Sequence, residues 1–146
     1  MWVSVSAVVG LVGALLPDRV LGHETAITRI RPVERDGRLY ARLRIKRWKR
    51  RLPETNNFGP GARPSKSSLG GRDGIAPLVS ETRRAEYVHL CIAACGPLFL
   101  LWNPPALGTV MVAFGVAFNA PFIVVQRYNR ARLLAVLRRP LRSVSR

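Results

Sequence analysis

Residues 87–126 read YVHLCIAACGPLFLLWNPPALGTVMVAFGVAFNAPFIVVQ, and these 40 positions contain no Asp, Glu, Lys or Arg. A helix that crosses the hydrocarbon of a bilayer needs about 20 apolar residues. The run therefore holds two crossings if something divides it, and Asn103-Pro104-Pro105 does. The two prolines lack an N–H and push the residue before each out of helical geometry. The arms, 87–102 and 106–126, are 16 and 21 residues long. At 1.5 Å per residue they reach about 24 and 32 Å, against a hydrocarbon core of about 30 Å. Residues 81–86 lengthen the shorter arm by a turn within the headgroup zone. The expected unit is a transmembrane helical hairpin over residues 80–130 with its turn at 103–105. A hairpin buried inside a soluble protein is the competing reading, but a chain of 146 residues leaves too little protein to cover 40 apolar positions.

The rest of the chain carries the charge. There are 24 Lys and Arg against 8 Asp and Glu, a net charge of +16, while 48% of residues are hydrophobic and mean hydropathy is +0.08. Such values fit a chain whose charged and apolar residues are segregated. They exclude a soluble domain of average pattern, and a 40-residue apolar block excludes wholesale disorder. Seventeen of the basic residues lie between Pro17 and Glu86 and seven beyond Gln126. Basic residues mark the cytoplasmic side of a membrane protein, so both flanks of the hairpin are expected in the cytoplasm. Residues 1–16 form a further uncharged apolar stretch, closed by Pro17 and Asp18, that would run from outside to inside. No Lys or Arg precedes it, which argues against a signal peptide. A misplaced start codon would also shorten it, in which case in-frame codons upstream of Met1 encode more apolar residues.

The fold class expected is an all-α membrane protein, multi-pass in the cell membrane. It comprises an N-terminal hydrophobic helix (1–16), a basic cytoplasmic and interfacial segment (17–55), a flexible Gly/Pro/Ser-rich loop (56–79), the hairpin (80–130) and a basic cytoplasmic tail (131–146). Within the basic segment, residues 37–52 read GRLYARLRIKRWKRRL, with eight basic residues. Leu39, Tyr40 and Leu43 share a helical face, while alternation from Leu39 to Ile45 also suits a strand. Two short interfacial helices with a bend near Arg44 and Ile45 are the reading taken. Ser80 or Pro77 would begin the helix entering the membrane. Cys91 and Cys95, four apart on one helix, are placed badly for a disulfide and have no companion metal ligands, so they read as small packing residues. With His23 and His89 the only histidines, no metal site is expected.

Polar residues cluster where the hairpin enters and leaves. Residues 81–89 read ETRRAEYVH and residues 119–130 read NAPFIVVQRYNR. A hairpin returns to its starting side, so the two segments meet at one membrane face. Glu86 and His89 share a helical face, with His89 about 4.5 Å deeper. A titratable ring beside a carboxylate can act as a general base. Arg83, Arg84, Arg127 and Arg130 can hold phosphate or steady an oxyanion, or simply anchor helix ends among headgroups. Glu86 can pair with Arg83. Asn119 can satisfy the backbone freed by Pro121 or join two helices.

ETRRAEYVH at 81–89, PFIVVQRYNRARL at 121–133 and RWK at 47–49 together resemble the glycosyl-4,4′-diaponeurosporenoate acyltransferase family of carotenoid synthesis. The stretch LWNPP at 101–105 is similar to many members, and Leu90 stands where the family often has Trp. The resemblance implies an integral membrane enzyme that moves a fatty acyl group from acyl-CoA, a co-substrate, to the sugar hydroxyl of a glycosylated carotenoid or another amphipathic lipid acceptor. No other cofactor is implied. The positions it brings forward are Glu81, Arg83, Arg84, Glu86, His89, Asn119, Gln126, Arg127, Asn129 and Arg130, with Arg47 and Lys49 from the RWK stretch. In the mechanism expected, His89, held by Glu86 or Glu81, takes the hydroxyl proton, and Arg127, Asn129 or Arg130 donates to the oxyanion. Arg42, Arg44, Lys46, Arg47, Lys49 and Arg50 attract the CoA phosphates. The alternative is a non-catalytic basic membrane protein that binds anionic lipid or scaffolds a pathway complex. A nucleic-acid partner is not expected, because no recognition motif accompanies the charge.

Overall fold

The computed structural model describes residues 1–49, 52 and 74–139, and among them every regular element is helical. Helix α1 spans Trp2–Ala14 and α2 spans Asp18–Gly22. A 3₁₀ segment, Pro32–Gly37, leads into α3 (Arg38–Arg42) and α4 (Ile45–Trp48). The long elements are α5 (Ile75–Ala94) and α6 (Pro105–Arg138), with a second 3₁₀ segment, Gly96–Leu101, between them. The expected loop at 56–79 lies outside the described residues up to position 73.

The hairpin forms, with boundaries different from those read in the sequence. α5 begins at Ile75, not at residue 80, because Pro77 falls in its first turn, where a missing N–H costs no hydrogen bond. Its α-helical part ends at Ala94, since Pro97 has no N–H to continue the ladder, and the chain tightens into 3₁₀ geometry. Asn103 Nδ2 donates to the Phe99 carbonyl (2.8 Å) and closes the turn, and Pro105 opens α6 in place of forming the turn's last residue. α6 continues to Arg138, eight residues past the expected end of the hairpin, so much of the expected tail is helix. Its 34 residues measure about 51 Å. Pro121 sits inside α6 without ending it.

α1 lies beside the hairpin. Trp2 packs on Phe99 and Phe114, with ring centroids 4.7 and 6.1 Å away, while Gly13 at the other end meets Val88. α1 is therefore antiparallel to α5. Close approach depends on glycine at Gly115, where a Cβ would lie 2.7 Å from Cζ2 of the Trp2 ring and nearer still to its Cη2.

At the open end of the hairpin, the segment from Thr25 to Trp48 folds against α6. Gly37 adopts φ +70° and Arg44 φ 50°, both left-handed. Gly37 turns the chain where a Cβ would crowd the Tyr128 ring at 3.2 Å. Arg44 supplies the bend between two short helices. Tyr40, Ile45, Val125 and Tyr128 form a buried core flanked by Trp48, Leu52 and Val124. Leu39 and Leu43, the neighbours of Tyr40 on the expected apolar face, are exposed.

Candidate functional site

Two carboxylates are buried at the open end, and each is held by arginine. Glu86 on α5 is 1% exposed. Its Oε1 accepts from Arg127 Nη1 (2.7 Å) and its Oε2 from Arg130 Nη2. Glu34 accepts from Arg127 Nε and Nη2 (2.8 and 2.7 Å), from the Tyr40 hydroxyl, and from the Arg31 backbone N–H (2.8 Å). Arg127 also donates to the Ile27 and Arg29 carbonyls (2.9 and 3.0 Å). One guanidinium thus joins α5, α6, the Thr25–Arg29 turn and the first 3₁₀ segment. The four ions balance to zero charge, the condition under which burial is tolerable. Burial pushes the Glu34 carboxyl up, but hydrogen bonds from Arg127, Tyr40 and the Arg31 N–H outweigh it and hold it at about 2. Burial, and then the bond to Glu34, raise the Tyr40 hydroxyl to about 12.

Arg83 and Arg84 serve a different purpose. Arg84 Nη1 donates to the Gly13, Ala14 and Leu16 carbonyls (3.0, 3.0 and 2.8 Å), and Nη2 reaches Asp18 at 2.9 Å. The last carbonyls of a helix have no intrahelical donor and carry its negative pole, so Arg84 completes the end of α1. Arg83 Nη1 donates to the Leu21 and Gly22 carbonyls (2.7 and 2.8 Å) and does the same for α2, with Glu24 3.7 Å away. Glu81 pairs with Arg84 at 3.4 Å.

Deeper along the hairpin, His89 Nδ1 lies 2.9 Å from Asn119 Oδ1, and the ring stacks on Phe122 with centroids 4.6 Å apart. Asn119 Nδ2 donates to the Gly115 carbonyl (2.8 Å). The partner of His89 is therefore Asn119 across the hairpin. The expected hold by Glu86 or Glu81 is not the one formed: both Glu86 oxygens are engaged by arginines, and Glu81 pairs with Arg84. The expected Glu86–Arg83 pair gives way likewise to Arg127 and Arg130. Asn119 joins two helices, as one reading had it, and bonds the carbonyl of Gly115.

Asn129 Oδ1 accepts from Lys49 Nζ (2.6 Å), which also lies 5.8 Å from the centre of the Tyr128 ring. Gln126 is half-buried on α6; Arg42, Arg44, Lys46 and Arg47 are exposed, and Arg50 lies outside the described residues. Arg130 is 0% exposed, and its Nε and Nη1 are buried without a partner. The structure thus unites Glu86, Arg127 and Arg130, and separately His89 with Asn119 and Lys49 with Asn129. It sets Glu81, Arg83 and Arg84 apart at the ends of α1 and α2. The sequence reading missed Glu34 and Tyr40. With only eight acidic residues against 24 basic ones, each carboxylate was a candidate to be enclosed by arginine, and that scarcity was the available signal.

The fold and site define a protein that is all-helical among its described residues. These include two apolar helices long enough to cross a membrane and a buried arginine–carboxylate network at the open end of the hairpin. The chain belongs to the glycosyl-4,4′-diaponeurosporenoate acyltransferase family, which it matches over residues 23–139, and by that membership it is an acyltransferase. It is 24% identical over 139 residues to the glycosyl-4,4′-diaponeurosporenoate acyltransferases of Staphylococcus aureus strains USA300 and NCTC 8325, covering 94% of this chain and 84% of theirs. The enzyme of that name from strain MRSA252 is similar to the same degree. No solved structure matches the chain.

Proposed function

We propose that this protein acylates the sugar of a glycosylated carotenoid or a similar glycolipid at the cytoplasmic face of the cell membrane, with acyl-CoA as donor. The observation that carries the reading is His89. It lies between α5 and α6 with one ring nitrogen engaged by Asn119, close to the end where the basic segment gathers. Membrane insertion is supported by the apolar windows of the two long helices, of which only 28% and 22% is buried within the protein. Leu101, Val110 and Phe118 stand exposed along them, as suits lipid contact.

The lipid tails of both substrates lie beside the hairpin, and the CoA phosphates meet the exposed Arg42, Arg44, Lys46 and Arg47. His89 Nε2 takes the proton of the sugar hydroxyl while its oxygen attacks the thioester carbonyl. The carbonyl oxygen bears the charge of the tetrahedral intermediate. When the carbon–sulfur bond breaks, the ester is complete and the CoA thiolate leaves, receiving the proton from His89. Arg127 is saturated by Glu34, Glu86 and the Ile27 and Arg29 carbonyls. Arg130 has Nε and Nη1 unpartnered but fully buried, so it serves the oxyanion only once the substrates part the side chains over it.

The test is expression in a host that accumulates a glycosylated carotenoid acid, with mass spectrometry of the pigment. The wild-type chain adds one fatty acyl group. His89→Ala still inserts in membranes but lowers transfer by about 100-fold or more. Unchanged transfer in that variant removes His89 from the chemistry. Absence of any acylated product with the wild type favours the lipid-binding or scaffolding alternative.

A further inference from the structure

Asn119 is 2% exposed, and both ends of its amide are engaged. One end lies 2.8 Å from the Gly115 carbonyl oxygen, the other 2.9 Å from His89 Nδ1. A carbonyl oxygen only accepts. The amide nitrogen must therefore face Gly115, because the flipped amide would set two acceptor oxygens together. Oδ1 is then fixed toward the imidazole, and an acceptor there requires a proton on Nδ1. A neutral ring with its proton on Nδ1 carries its lone pair on Nε2. Among the described residues no side chain or carbonyl takes Nε2. Phe122, inclined by 13° to the ring, holds its plane.

We propose that Asn119 is a positioning residue that locks His89 as the Nδ1–H tautomer, so that Nε2 is the basic atom offered to the acceptor hydroxyl. This rests on the acyl-transfer reading for its purpose, though not for its geometry. The chain of reference runs from backbone to base. The Gly115 carbonyl orients the Asn119 amide, the amide orients the ring proton, and the ring proton leaves the lone pair where a substrate can meet it. A buried aspartate performs the same service for the histidine of serine hydrolases. In a membrane helix an amide does so without adding a charge that would need its own partner.

The test uses the full chain in lipid nanodiscs, labelled with nitrogen-15 histidine and carrying His23→Gln so that one ring is observed. The expected wild-type spectrum at neutral pH shows a protonated Nδ1 and an unprotonated Nε2. A protonated Nε2, alone or with Nδ1, overturns the proposal. Asn119→Leu is expected to move the proton to Nε2 in most molecules and to lower kcat about tenfold or more, with KM within about twofold. Asn119→Thr, whose hydroxyl can donate to the Gly115 carbonyl and still accept from the ring, is expected to recover the Nδ1 proton and part of kcat. Equal tautomer populations in the Leu and wild-type proteins, or full activity in the Leu protein, also overturn it. An Nδ1–H spectrum in a wild-type chain that transfers no acyl group sinks the acyltransfer reading instead. The reverse tautomer in an active enzyme sinks only the present inference.

Discussion

Glu86 is enclosed by two guanidinium groups, one of them on a side chain with no exposure at all. Removing one member of a buried pair leaves the other uncompensated, at about 3–5 kcal/mol. Glu86→Gln is accordingly expected to lower the thermal unfolding midpoint of the purified protein in detergent. The double variant with Arg130→Met should recover part of the loss, since the unpaired charge is then gone. An unchanged midpoint in Glu86→Gln would mean that Glu86 does not balance Arg130. Glu34 makes a pH prediction. Its carboxyl is held at about 2 in the folded chain against an ordinary value of 4.5. A folded value below the unfolded one stabilises at pH above about 4.5, and that contribution is lost as pH falls toward 2. Tyr40→Phe removes one bond that lowers it, so acid unfolding followed by circular dichroism should begin at higher pH in that variant. The charged residues were visible in the sequence as a group. Their division of labour was not, because Arg127 meets Glu86 and Glu34 across 41 and 93 residues of chain, and no local spacing encodes those pairings.

At the scale of elements, one of the contacts that dock α1 is the fit of an indole against a glycine. Gly115→Val places a branched side chain into the Trp2 ring, and overpacking of this kind costs about 1–3 kcal/mol. Thermal unfolding should fall accordingly, while Gly10→Ala, where nothing lies within 4 Å, should leave stability nearly unchanged. Trp2→Ala combined with Gly115→Val should lose less than the two single losses summed, because the residues share one contact. Equal, additive losses would show that α1 does not dock on α6 through this pair. The helices themselves were legible, since uncharged apolar runs and prolines act locally. The boundaries moved because a proline in the first turn of α5 is harmless and Pro97 tightens a helix before Pro104 can end it.

For the whole molecule, the polar network, the ends of α1 and α2 and the basic helices all stand at the open end of the hairpin. The proposed membrane hairpin requires that end to face one compartment. Reporter fusions ended at Ser80 and at Arg138 are expected to show the same, cytoplasmic side. Opposite sides would part Glu86 on α5 from Arg127 and Arg130 on α6 and remove the proposed meeting place of CoA and sugar.

Composition and order of residues determined that the described elements are helical, that the chain doubles back about Asn103 and Pro104 and that the long apolar stretches segregate from the charged ones. These follow from the free energy of placing apolar and charged groups in unlike solvents, which each stretch of chain settles by itself. Only the tertiary structure decided which arginine closes a helix, which one balances a carboxylate, and that His89 answers to Asn119. Hydrogen bonds have short reach and fixed direction, so their partners are chosen only when distant segments have been brought within 3 Å of each other.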